Sequence, residues 1–272
     1  MTKFQLIIYR ITFKIFSKVL AIFSLPDPIT IHRIMLSKKI QKDLGDTVRH
    51  GYFKGMKLPT VMSWGETDRV SMLLGYYESE VLEAIYSSPT KYDTFIDLGA
   101  ADGYYAIGGL ISNRFKNAIC YEMSLERQLV LKTNANSNNV SNSIEIRGAA
   151  DASFVDDKVE KLLDKAVVLI DIEGAEFDLL TDRILGKLSK SIVIIELHDH
   201  LVANGKHKLD ELTSKVYNIF EVNLIDTGSR APSQYDELRN FSDNDKWLVC
   251  SEGRKRSGSW MHLTPLDHNV NP

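Results

Sequence analysis

From Thr94 onward the chain alternates between short unbroken apolar runs and longer segments in which apolar residues recur every three or four positions. The runs TFIDLG, NAICYE, SIEIRGAA, AVVLIDIEG and SIVIIELHD read as strands. Between and after them, YYAIGGLISNRF, SLERQLVLKTNANSNN, FVDDKVEKLLDK, AEFDLLTDRILGKL and KHKLDELTSKVYN read as amphipathic helices. Continuous apolar strands alternating with such helices predict a mainly parallel sheet covered on both faces. Two further runs, FEVNLID and KWLVCSE, are joined by a polar loop without helical spacing, so they are expected to pair antiparallel and complete seven strands. Upstream, DRVSMLLGYYESEVLEAIYSS predicts one helix leading into the sheet. The stretch VRHGYFKGMKLP, with Gly51 and Gly55, predicts a hairpin-like piece, and residues 31 to 45 a basic helix.

The first stretch, KFQLIIYRITFKIFSKVLAIFSLPDP, is apolar, but Arg10, Lys14 and Lys18 interrupt it every four residues. That spacing removes the continuous apolar segment that a signal peptide or a membrane span requires. In a helix the three cations share a stripe, while Phe4, Ile7, Ile8, Ile11, Ile15, Val19, Ile22 and Phe23 group on the other side. Pro26 and Pro28 end it. Such a helix either lies in the headgroup layer of an anionic membrane, giving peripheral contact through residues 3–25, or packs on protein.

At 272 residues and 44% apolar, the chain can bury one substantial core. Two cysteines, Cys120 and Cys250, both in apolar runs, are too few for a disulfide framework and fit a reducing, cytoplasmic setting. The net charge of −3 conceals an asymmetry: residues 1–60 carry 11 Lys/Arg against 3 Asp/Glu, leaving 22 against 33 for the rest. The chain is therefore read as a basic helical extension over 1–60 and a main domain over 61–272.

The main chemical signal is FIDLGAADGYYAIG, residues 95–108. Asp97 ends one strand and Glu122 the next, delivering two carboxylates to the sheet edge where open α/β folds bind ligands. A dinucleotide site would need G-x-G-x-x-G, yet the loop reads Gly99-Ala100-Ala101-Asp102-Gly103, with an acid that repels a pyrophosphate. S-adenosylmethionine suits the place better, with its ammonium, sulfonium and ribose diol and no phosphate. Asp97 is expected to hold the amino group, Gly99 to allow close backbone approach, and Glu122 to hold the ribose. The same pattern also occurs as a plain strand-to-helix turn.

The strings FIDLGAADGYYAIG, VVLIDIEGAEFDLL and IVIIELHDH, in this order, resemble the FkbM family within the class I S-adenosylmethionine-dependent methyltransferases, over about residues 76–250. The resemblance implies a Rossmann-like α/β fold whose sheet closes with an antiparallel strand. It implies S-adenosyl-L-methionine as cofactor, bound by Asp97, Gly99, Ala100, Asp102, Gly103 and Tyr104, by Glu122 and Met123, by the segment Ala149, Ala150 and Asp151, and by Asp171 near the transferable methyl group. It also implies O-methylation of a saccharide or other small molecule, which a membrane location would make a surface-glycan precursor.

Methyl transfer to an alcohol needs alignment and a base within hydrogen-bond reach. Asp171, Glu173, Glu196, His198 and His200 fall at the ends of the fourth and fifth strands, and His198 is the preferred base because imidazole titrates near neutrality. Asp171 and Glu173 complete the expected catalytic set, although Glu173 and Glu176 also suit the cap of the next helix. Asp171, Glu196 and His198 could alternatively ligate a divalent metal, but their spacing matches no metal motif. Trp64, Tyr76, Tyr77 and Trp260 offer stacking surfaces for an acceptor, and Arg254, Lys255 and Arg256 positive charge. A nucleic-acid substrate is disfavoured, since no N/D-P-P-Y string occurs and the body is acidic. A nonenzymatic module that keeps the fold and binds the same cofactor is the competing reading.

Overall fold

The computed structural model describes residues 2–22, 26–63, 67–254 and 256–266, so Phe23, Trp64 and Lys255 lie outside the described residues. By packing, the chain divides into a smaller unit, Met1–Gly45, Glu66–Ser71 and Arg230–Gly253, and a larger one, Asp46–Gly65, Met72–Ser229 and Arg254–Pro272.

The chain begins with helices α1 (Lys3–Ile22), α2 (Pro28–Leu44), α3 (Arg69–Leu74) and α4 (Ser79–Ser87). It continues as β1 (Thr94–Leu98), α5 (Tyr104–Ile111), β2 (Asn117–Tyr121), α6 (Leu125–Ser137), β3 (Ile144–Arg147), α7 (Asp157–Glu160) and β4 (Ala166–Ile170). The remainder is α8 (Glu176–Leu179), α9 (Asp182–Leu188), β5 (Ile192–Glu196), α10 (Gly205–Val216), β6 (Phe220–Asp226), α11 (Asp243–Cys250) and β7 (Ser259–Pro265).

In the larger unit the strands form one sheet in the order β3-β2-β1-β4-β5-β7-β6. The first five are mutually parallel, and β7 runs antiparallel between β5 and β6. This is the expected Rossmann-like arrangement. Every residue of β1, β4 and β5 is buried, because helices cover both faces. Ile96, Leu98, Val168 and Ile170 fill one core, and Phe95, Val167, Leu169 and Trp260 the other. Strand order reverses at β1, which pairs β2 on one side and β4 on the other, and that reversal opens a crevice at the carboxyl ends of β1 and β4.

Sequence expectations are corrected at the end of the chain and before the sheet. KWLVCSE is a helix, α11, because Ser242 accepts a hydrogen bond from the Asp245 N–H (3.2 Å) and Asp243 and Asp245 stand in the first turn. Cys250 therefore closes a helix. The antiparallel strand is instead SWMHLTP, β7. The stretch expected as one helix before the sheet is two, α3 and α4, broken where the chain crosses itself: a Cβ on Gly75 (φ +76) would lie 2.0 Å from the His50 carbonyl oxygen. The hairpin-like piece forms as expected: Thr47 and Lys57 make an antiparallel bridge, flanked by the Val48 and Leu58 amides donating to the Met56 and Asp46 carbonyls.

In the smaller unit, Asp27 caps α2 by accepting from the Ile29 and Thr30 amides, with Pro28 at the first helical position. α11 packs on α2, where His32 meets Asp245 at 2.8 Å and Lys39 lies over the Phe241 ring. The buried Arg33 donates to Asp68 (3.2 Å) and to the Ser251 carbonyl, tying the three chain segments of this unit together.

Candidate functional site

The turn after β1 begins where the strand must pass close under β4. Gly99 has φ +98, and a Cβ there would stand 1.8 Å from the Asp171 carbonyl oxygen. The glycine therefore serves the crossing of two strand ends. Gly103, at φ +83, opens α5, and a Cβ on it would press on Leu131 and Ile107. Close packing of that helix on α6 is the reason for the second glycine.

Between these strand ends lies a cavity of about 290 Å³, lined by Asp97, Gly99, Ala100, Tyr104, Glu122, Met123, Ala149, Ala150, Asp171 and Glu173 among the expected residues. Tyr77 lines it as well. Asp102, Gly103 and Asp151 do not. Asp102 is turned toward the preceding segment, where it accepts from the Ser63 N–H (2.9 Å) and the Ser63 hydroxyl. Asp151 is exposed and accepts from the Ser153 N–H and hydroxyl. Tyr76 and Trp260 are buried.

Electrostatics set the character of the cavity. Asp97 is 2% exposed, and burial, then the charges of Asp171 and Glu122, push its carboxyl well above the usual range. Glu122 is fixed by the amides of Ala101 (3.0 Å) and Ser124 (2.8 Å), which leaves other lone pairs on its two oxygens free to accept. Asp171 is pushed up to about 6, chiefly by crowding among protein atoms, with His198 opposing the rise and Glu173 adding to it. The Tyr104 hydroxyl and Asp171 Oδ1 are buried atoms with no hydrogen-bond partner among the described residues. Five acids, Glu78, Asp97, Glu122, Asp171 and Glu173, line the hollow against one cation, Arg127, and that balance favours a cationic ligand over an anionic one.

Beside the cavity, at the end of β5, stands His198. Its Nε2 lies 3.6 Å from Glu173, 3.7 Å from Asp171 and 3.9 Å from Glu196, and its Nδ1 lies 3.4 Å from Glu176. Burial disfavours the imidazolium, but the facing Glu176, Asp171 and Glu173 outweigh it, and the pKa is raised. Ligand atoms of Asp171, Glu196 and His198 come within 4.8 Å of one another, as a divalent cation would need. Glu196 already accepts from Arg254 Nη1 at 2.5 Å, so a positive charge stands at that corner.

No family model matches the chain, and no curated protein does. Among solved structures it is similar to the B. subtilis m1A22 tRNA methyltransferase TrmK, at 11% identity, with 69% of this chain and 65% of that one covered and a TM-score of 0.46. It is similar also to an O-methyltransferase from Bacillus cereus in complex with SAH, at 12% identity, covering 74% and 98%, with a TM-score of 0.41. An uncharacterized protein from Listeria monocytogenes serotype 4b gives 16% identity, 71% and 70% coverage, and a TM-score of 0.45. At these identities and scores nothing about ligand or chemistry passes from those proteins to this one.

Glu78, Tyr105 and Arg127 also line the cavity and escape sequence reading. Glu78, in a left-handed conformation at φ 43 and buried, accepts from the Tyr105 hydroxyl and from Arg254 Nη2, and Arg254 stacks over Trp260. Glu78 lies in a turn inside what reads as a continuous helix, so no periodic signal marks it. Glu176 does more than cap. It is fully buried, accepts from the Gly174 N–H (2.8 Å) and the His198 N–H (2.9 Å), and thereby joins the turn after β4 to the end of β5.

Proposed function

We propose that this chain is a cytoplasmic S-adenosylmethionine-dependent methyltransferase of FkbM type, acting on a hydroxyl of a saccharide or other small molecule. The observation that carries the reading is the buried carboxylate of Asp97 at the strand-order reversal, crowded by Asp171 and Glu122 in a cavity of small-molecule size. The Tyr104 hydroxyl and Asp171 Oδ1, neither with a hydrogen-bond partner among the described residues, fit the same ligand, which has both donors and positive charge to offer them.

When bound, S-adenosylmethionine supplies a methyl carbon made electrophilic by its sulfonium. The chain's own groups do the rest. Asp97 would receive the ammonium, Glu122 would accept from the ribose hydroxyls, and Met123 and Ala150 would flank the adenine. Asp171 and Glu173 border the space toward His198. There Nε2 would stand to take the proton of an acceptor hydroxyl presented to the methyl group. Asp171 and Glu173 would stabilise the imidazolium so formed, and Glu176 faces the ring's other nitrogen at 3.4 Å.

The acidic body, 22 Lys/Arg against 33 Asp/Glu beyond residue 60, supports an acceptor other than nucleic acid. Calorimetric titration of the full chain with S-adenosylmethionine and with NAD tests the cofactor. Saturable binding of the first and none of the second is expected; the reverse, or silence from both, overturns the reading.

A further inference from the structure

α1 is a 20-residue helix whose apolar side chains are largely uncovered: Phe4 is 70% exposed, Ile7 50%, Ile11 54% and Ile15 58%. Tyr9 and Phe13 stack at 6.0 Å, and with Thr12, Ile15 and Phe16 they line a shallow groove along its side. An apolar surface of this extent on one helix calls for an occupant.

Charge identifies it. α1 contains Lys3, Arg10, Lys14 and Lys18 and no acidic residue. At 100° per residue these four cations fall within roughly a quarter of the circumference, Ile7 lies among them, and the other apolar residues take most of the remainder. Two copies of such a helix repel each other. An anionic lipid surface satisfies both halves at once, because phosphates meet the cationic stripe while the isoleucines and phenylalanines enter the acyl boundary. The helix is about 30 Å long, enough to reach across hydrocarbon, but Arg10, Lys14 and Lys18 would then sit within it. No helix among the described residues is long and apolar enough to cross a membrane. We propose that α1 is an interfacial anchor that lays the protein on anionic bilayers, parallel to the surface.

The test is co-sedimentation of the full chain with vesicles of phosphatidylcholine alone and of phosphatidylcholine with phosphatidylglycerol, at low and high salt. Each cation near the surface is worth about fivefold in partition, so replacing three should weaken binding to the anionic vesicles roughly a hundredfold. The expected results are strong, salt-sensitive binding to the anionic vesicles, its loss in the R10Q/K14Q/K18Q variant, and loss of binding to both vesicle types in an I7S/I11S/I15S variant. Thermal melts by circular dichroism should match the parent for both variants, showing that the fold is intact. Equal partition into both vesicle types would overturn the proposal, as would binding that both variants retain. A dimer in sedimentation equilibrium that I7S/I11S/I15S breaks, with no vesicle binding, would assign the surface to a second copy instead.

Discussion

Asp97 shows how a single side chain sets stability against binding. Its carboxyl, raised by burial and by Asp171 and Glu122, keeps its proton to a higher pH in the folded chain than in the unfolded one. Folding stability from this group therefore declines as pH climbs from the ordinary carboxylate value through the raised one. Asp171, raised to about 6, slopes the same way, and so does His198, whose raised pKa gives stability at low pH that is lost as the imidazolium deprotonates. Asp97→Asn should melt above the parent at pH 7.5 without ligand, with the gap closing near pH 4, while S-adenosylmethionine affinity falls about 10- to 100-fold in calorimetry. His198→Gln should lower kcat by about 10²- to 10⁴-fold, keep cofactor affinity, and abolish the rise of kcat with pH that deprotonation of a raised-pKa imidazole produces in the parent. Dialysis against a chelator should leave turnover unchanged, because Arg254 already neutralises Glu196; activity lost to chelator and restored by a divalent ion would reassign Asp171, Glu196 and His198 as ligands. Asp97, Glu122 and Asp171 were legible as neighbours because each ends an apolar run, which places it at the carboxyl edge of the sheet, where all three line one cavity. Glu78 was not, and neither was its pairing with Arg254, a residue read only as positive charge, since that meeting joins a left-handed turn to a segment 176 residues away.

At the scale of elements, the five parallel strands could be read directly, most plainly where full burial leaves an unbroken apolar run. AEFDLLTDRILGKL, expected as one helix, is two, α8 and α9, because Thr181 caps the second. The end of the chain misled for a physical reason. An apolar run as short as KWLVC fits a buried strand or one face of a short helix equally well, and only the upstream Ser242-Asp243-Asn244-Asp245 distinguishes them by capping. β7 was hidden because Ser259, His262 and Thr264 interrupt its apolar residues, although it is sheltered between two neighbours. Ser242→Ala should remove the α11 cap, lowering stability by about 1 kcal/mol. For a chain of this size that corresponds to a melting point lower by about 2–4 °C in a calorimetric scan.

For the whole molecule, a cavity rimmed by acids means that the ligand and the fold stabilise each other. At about a hundred times its dissociation constant, S-adenosylmethionine should add about 2.7 kcal/mol and raise the melting point by about 5–10 °C, with NAD giving no shift.

The sheet order has a consequence for biosynthesis. β6 touches the sheet through β7 alone, and β7 is made after it. On the ribosome, β5 and β6 must each wait with an open hydrogen-bonding edge until Ser259–Pro265 emerges to zip them together. A message truncated before codon 259 would release a chain with two unsealed strands, a ready substrate for aggregation or proteolysis.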